Sequence, residues 1–144
     1  MAYATPEAKI EAALVARLQT LTLTPAFAVA YPGVNFPAEN KPPRYLRVEH
    51  DGIARMRPFL STTTRQRGSL FVSVCMPKGT NSIDAMEIAG AVAAHFPADY
   101  KATVEGVTVR ITERPTVAGG YVDETDQRWR TPVVIPYEVW LQAS

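Results

Sequence analysis

Apolar residues recur every three to four positions from Ile10 through Ala13, Leu14 and Leu18 to Leu21, while Lys9, Glu11, Arg17 and Gln19 lie largely off that stripe. This period predicts a one-sided helix running to about Thr20. Its start is marked by Thr5-Pro6-Glu7. Thr5 can accept a hydrogen bond from an orphan N–H, Pro6 fits the first helical position, and Glu7 favours the positive end of the helix dipole. A second stripe, Ile83, Met86, Ala89, Gly90, Ala93 and Phe96, follows a cap made by Asn81 with Asp84 and stops at Pro97. The small residues along it, from Ala85 to Ala94, permit close approach to a sheet beneath.

Elsewhere the period falls to two. The short apolar run 26–31 and the alternating 44–50 and 66–76 predict three strands before the second helix, and 107–112 and 128–141 predict two after it. The clearest is 66–76, with Leu70, Val72, Val74 and Met76 on one face, which places it mid-sheet. Pro32-Gly33 and the 37–43 stretch enforce an extended connection, and Asp51-Gly52 marks a turn. Residues 53–64 follow no period, so the expected domain, spanning 1–144, carries a projecting loop or loosely paired arm at about 52–65. In 128–141 the apolar positions Val133, Ile135, Tyr137, Val139 and Leu141 share a face, yet Pro132 and Pro136 both lack an N–H on the same lateral side. That pattern predicts an edge strand or a bulged one. The expected fold is α+β: a mainly antiparallel four- to five-stranded sheet with two α-helices packed on one face.

Composition changes this picture little. The chain has 144 residues, 47% of them hydrophobic, enough to bury a core without disulfides or metals. A formal charge of +1 gives no general attraction to phosphate backbones or anionic lipid, so any basic site is local. Cys75, alone within an apolar run, is expected to fill core and is compatible with a reducing cytoplasm. No signal-peptide pattern and no apolar run of about 18 residues is present, which predicts a protein that stays off the membrane.

Candidate chemistry is sparse. Cys75, His50 and His95 fall on three separate elements, so no zinc set is expected, and no serine sits in a nucleophile elbow. His95 reads as a helix C-terminal group favouring the dipole, and His50 as the end of a strand. Gly79 and Gly119-Gly120 match no phosphate loop, and Glu113, Asp123, Glu124 and Asp126 lack the alternation of a calcium loop. No catalytic residue, cofactor or metal is assigned. The best surface candidate is Arg55, Arg57, Arg65 and Arg67, four guanidinium groups within thirteen positions with no acidic residue between them. Arginine's planar fork suits phosphates and carboxylates. The interleaved Phe59, with Met56 and Leu60, favours a contact surface over a merely solvated loop.

Several segments together resemble the tail terminator proteins of lambda-type long-tailed bacteriophages, specifically a related small phage family of unknown function. They are Ala16-Arg17-Leu18, the run from Tyr31 to Pro37, Tyr45-Leu46-Arg47-Val48, Arg65-Gln66-Arg67-Gly68 leading into Leu70 to Val74, the 77–79 turn, His95-Phe96-Pro97, the run from Gly106 to Ile111, and Val133 to Tyr137. The resemblance implies a structural, non-enzymatic virion protein: an antiparallel sheet with two helices, self-associated into a hexameric ring. That ring would cap the tail tube, end tail elongation and serve head-tail joining, with DNA passing through its opening. It also implies a tail-tube protein and a head-tail connector protein as partners, and a place in the virion tail after assembly in the bacterial host cytoplasm. It assigns no contact residues, so placing Arg55, Arg57, Phe59, Arg65 and Arg67 at an interface or the lumen follows from their charge and apolar character. The competing readings are a head-closure connector, a tail-tube protein, or a small enzyme or ligand-binding module with a pocket lined by Arg47, Glu49 or His50.

Overall fold

The computed structural model describes residues 5–23, 27–31, 43–50, 54–56, 63–79, 81–124 and 127–142. In chain order the elements are α1 (Pro6–Gln19), β1 (Ala28–Ala30), β2 (Tyr45–His50), β3 (Ala54–Met56), β4 (Thr63–Pro77), α2 (Ser82–Ala94), β5 (Lys101–Val104), β6 (Val107–Ile111), β7 (Thr116–Val117), β8 (Tyr121–Asp123) and β9 (Arg128–Gln142). Both helices begin where their capping residues lie. The Ala8 N–H donates to Thr5 Oγ1 at 3.3 Å, with proline in the first turn, and the Ile83 N–H donates to Asn81 Oδ1 at 2.8 Å.

The strands form one sheet in the order β1-β2-β4-β9-β6-β5, with β3 flanking β4 and the short β7 and β8 flanking β9. It is larger than the four to five strands expected, and it is mixed, because β1 runs parallel to β2 while the other described pairings are antiparallel as expected. A parallel neighbour needs a crossover connection, and residues 31–44 supply its length. Four strands escape the sequence pattern, β3, β7 and β8 at two or three residues and β5 at four, all too short to show a sustained period. The β5–β6 hairpin turns at Glu105-Gly106, both with positive φ (48° and 84°), the geometry of a tight two-residue turn.

The centre of the sheet is a ribbon in which β4 and β9 pair antiparallel along all fifteen residues of each, from Thr63 opposite Gln142 to Pro77 opposite Arg128. Strand β9 is therefore not an edge. Its other side is paired successively with β8 at 128–130, β7 at 133–134 and β6 at 137–139. The prolines fall in the gaps between these short strands. Their carbonyls still accept on that flank, from Ala118 N–H to Pro132 at 2.9 Å and from Thr112 N–H to Pro136 at 3.2 Å. Because a strand residue directs its N–H and C=O to the same side, both missing donors face the segmented flank, and the ladder to β4 is intact.

Both helices cover one face of the sheet. Ile10, Ala13, Leu14 and Leu18 of α1 and Ala85, Ala89, Val92 and Ala93 of α2, with Phe96, form a single buried cluster with Leu46, Val48, Leu70, Val72, Val74, Val133, Ile135 and Val139. Burial of each large side chain here contributes roughly 1.5–3 kcal/mol. Helix α1 packs against β5 and β6, while its Glu11 reaches His50 on β2 and its Leu18 lines a cleft with Leu46 and Phe27, so the sheet curls around it. At about 3.3 Å per residue the β4–β9 ribbon is roughly 50 Å long. Helices of this length span only about 20 Å, so the ends of the ribbon extend past them.

Candidate assembly surface

The face of the sheet turned away from the helices carries the side chains that alternate with the core. Along the ribbon the cross-strand pairs on this outer face are Arg65 with Trp140, Arg67 with Glu138, Ser69 with Pro136, Phe71 with Val134, Ser73 with Pro132, and Cys75 with Arg130. Its middle is apolar and both ends are charged. Such an arrangement suits a protein contact, in which an apolar centre sits inside a polar rim.

At one end Glu138, only 9% exposed in its side chain, accepts from Arg110 through both Nε, at 3.1 Å, and Nη2, and stands 3.8 Å from Arg65 Nη1. Arg110 also donates to Asp99. These carboxylates hold the Arg110 guanidinium above its ordinary pKa, the hydrogen bond to Glu138 being the largest cause. Arg65 lies 5.7 Å from the ring centre of Trp140, which is 47% exposed. At the other end Arg130 bridges Glu49 and Asp123, the latter at 3.2 Å. Burial opposes its charge, and the two carboxylates more than offset that, so its pKa is raised. Beside it Cys75 is fully buried, and burial pushes its thiol up to about 11, so it is the inert filler expected.

The expected arginine cluster is divided by register. Arg65 and Arg67 stand opposite Met56 and Ala54, whereas Arg55 stands opposite Gln66, one step out of phase. Arg65 is partly buried against Glu138, and Arg67 is exposed on the outer face. The side chain of Arg55, and all of Arg57 and Phe59, lie outside the described residues. Sequence reasoning did not find Arg110, Arg130, Glu138 or Trp140 as members of this surface. For Arg130, Glu138 and Trp140 the signal was the even-numbered register of residues 128–140, and for Arg110 the alternation of 107–111, but which strands would lie side by side was not encoded locally.

On the helix-facing side, polar groups tie the helices down. Glu11 bonds His50 Nδ1 at 3.1 Å, and His50 Nε2 bonds the Tyr137 hydroxyl, which is packed against Gly68. His95 does not serve its own helix end, as expected, but that of α1. Its Nε2 lies 2.9 Å from the Arg17 carbonyl, an acceptor only, and 2.8 Å from Thr20 Oγ1, so Nε2 carries the proton. Burial lowers its pKa, which suits a neutral donor. The Arg17 guanidinium donates to the His95 carbonyl at 3.0 Å and lies over Tyr100.

Catalytic constellations do not assemble from these parts. Arg47 and Glu49 sit on the outer face and His50 on the helix-facing one, because strand alternation separates them. A cleft of about 170 Å³ is lined by Leu18, Leu21, Leu23, Phe27, Val29 and Leu46, with Thr22 the one polar side chain among the described residues. Among the described residues no three His, Cys, Asp or Glu side chains are grouped to hold a metal, and no helix is long and apolar enough to cross a membrane.

The family model described as phage tail terminator protein matches residues 9–137, which take in most of α1, all of α2 and the β4–β9 ribbon as far as Tyr137. The chain belongs to the phage tail terminator family. This is a structural protein family, not an enzyme family, and it makes the chain a component of the virion tail that associates with other tail parts. No curated protein matches the chain. One solved structure superposes on it with a TM-score of 0.71 at 25% identity, covering 94% of this chain and 96% of the other.

Proposed function

We propose that the protein self-associates into a ring, hexameric as the family resemblance implies, that caps the completed tail tube, stops further addition of tube subunits and presents a surface for joining the head. The observation that carries this reading is the family match over residues 9–137. The structure supports it in its chemistry: a broad outer sheet face with an apolar middle and charged ends. A net charge of +1 suits a channel through which DNA slides, since extensive phosphate neutralisation would hold it. In this reading the arm at about 52–65, with Arg55, Arg57 and Phe59, meets the tube or the lumen. Arg65 and Arg67 belong to the sheet surface.

The experiment mixes purified protein with polymerising tail-tube subunits and measures tube length by negative-stain imaging. A terminator arrests growth and is seen at one end. Rods formed by the protein alone would identify a tube protein instead, and binding only to connector rings a head-closure protein.

A further inference from the structure

The outward side of α2 complements the outer sheet face in both charge and apolar character. Residues Ala85, Ala89, Val92 and Ala93 are buried against the sheet, which turns Ile83, Glu87, Ala91 and Ala94 outward along one stripe, with Asp84 and Met86 beside it. Ile83 is 72% and Met86 44% exposed, unusual for side chains of this size in the first turns of a helix. The helix contains two carboxylates, Asp84 and Glu87, and no lysine or arginine. Across the molecule, the outer sheet face has the opposite balance. Arg47, Arg65, Arg67, Arg110, Arg128 and Arg130 stand against Glu49, Asp99, Asp123 and Glu138, and those four acids are already engaged by arginine. Arg67 is exposed there, between the apolar pair Phe71–Val134 and the exposed Trp140.

We infer that the α2 stripe of one copy docks on the outer sheet face of the next, Glu87 meeting Arg67 while Ile83 and Met86 cover Phe71, Val134 or Trp140. The two surfaces lie on opposite faces of one sheet, so the contact is head-to-tail, the kind that closes into a ring when the rotation per subunit allows. A self-complementary patch would give only a dimer. The short side chains of Ala91 and Ala94 let the helix lie close to the partner's sheet, as Ala85 and Ala89 do within the subunit. This inference rests on the ring reading above and assigns its subunit interface.

The test is charge exchange, read by native mass spectrometry and negative-stain imaging, alone and with tail-tube subunits. Glu87→Arg and Arg67→Glu should each raise the concentration needed for ring formation at least about tenfold. The double variant should restore it, which a folding defect would not allow. Rings that form equally well in both single variants, or a double variant no better than either, overturn this interface while leaving the ring reading in place. A Glu87→Arg variant that still forms rings but no longer arrests the tube would show that α2 meets the tube, and also overturn it. Wild-type protein that forms no ring in either condition overturns the ring reading itself.

Discussion

Gly68 illustrates how a single position sets local packing. A Cβ there would lie 2.7 Å from the Tyr137 hydroxyl and 3.0 Å from its ring, closer than real contacts allow. Tyr137 is buried and bonded to His50, so it has little room to retreat. Gly68→Ala should therefore cost about 1–3 kcal/mol by overpacking, visible as a lowered midpoint in urea denaturation. His95 gives a prediction in pH. Its pKa in the folded protein lies below the ordinary value of 6.5, so the unfolded chain binds the proton more readily. Its contribution to stability is complete above pH 6.5 and is lost as pH falls below it. His95→Gln, which keeps a donor, should flatten the decline in thermal midpoint between about pH 7.5 and about pH 5.5; an unchanged decline would remove the assignment. Neither role was legible in the sequence, because Gly68 and Tyr137, like Arg17 and His95, are distant in the chain and meet only after β4 has found β9 and α1 has found α2.

At the scale of elements, the helices were legible and the sheet only partly so. A helix writes its cap and stripe into adjacent residues, and Thr5, Pro6 and Asn81 act as read. A strand shows which residues share a face but not which strand lies beside it, so Val133, Ile135 and Tyr137 read correctly as core while 128–141 reads as an edge or bulged strand. The error lay in treating missing donors as a property of the whole strand. They act at two points, and the neighbouring flank is broken into β8, β7 and β6 at those points. The candidate arginines were grouped by closeness in sequence, and the same alternation divided Arg55 from Arg65 and Arg67. This account of the prolines predicts an asymmetry. Pro132→Ala should cost only about 0.4–1 kcal/mol, through the freer unfolded chain, since the restored N–H faces a gap. Val133→Pro moves the missing donor to the β4 side of a buried ladder. It should cost at least a further 1–3 kcal/mol or so, for the carbonyl left unpaired; equal effects in a denaturant titration would refute the account.

For the whole molecule, the decisive contact joins segments far apart in the chain. Thr63 pairs with Gln142 and Pro77 with Arg128, so α2 and the strands β5 to β8 all lie within the loop that the central ribbon closes. Loop-closure entropy must be met before that ladder and the core above it can form, and the local β5–β6 hairpin and β8–β9 pairing shorten the path only in part. Helix α1 belongs to the same cooperative unit, because its buried stripe packs on β5 and β6 while Glu11 holds His50 on β2. The protein should thus fold in milliseconds to seconds rather than microseconds, with helix and sheet signals lost together on denaturation. Stopped-flow refolding followed by far-ultraviolet circular dichroism and by the fluorescence of Trp129 and Trp140 provides the check. Microsecond folding, or a helical signal that melts separately from the tryptophans, would mean that the ribbon is not what organises the chain. The same topology bears on assembly. The outer face of β4 and β9 and the outward stripe of α2 become ordered surfaces only when the ribbon is complete, so a subunit can enter a head-to-tail ring only after it has folded. Oligomer formation in a refolding experiment should accordingly lag the tryptophan signal and depend on concentration, whereas the folding step should not.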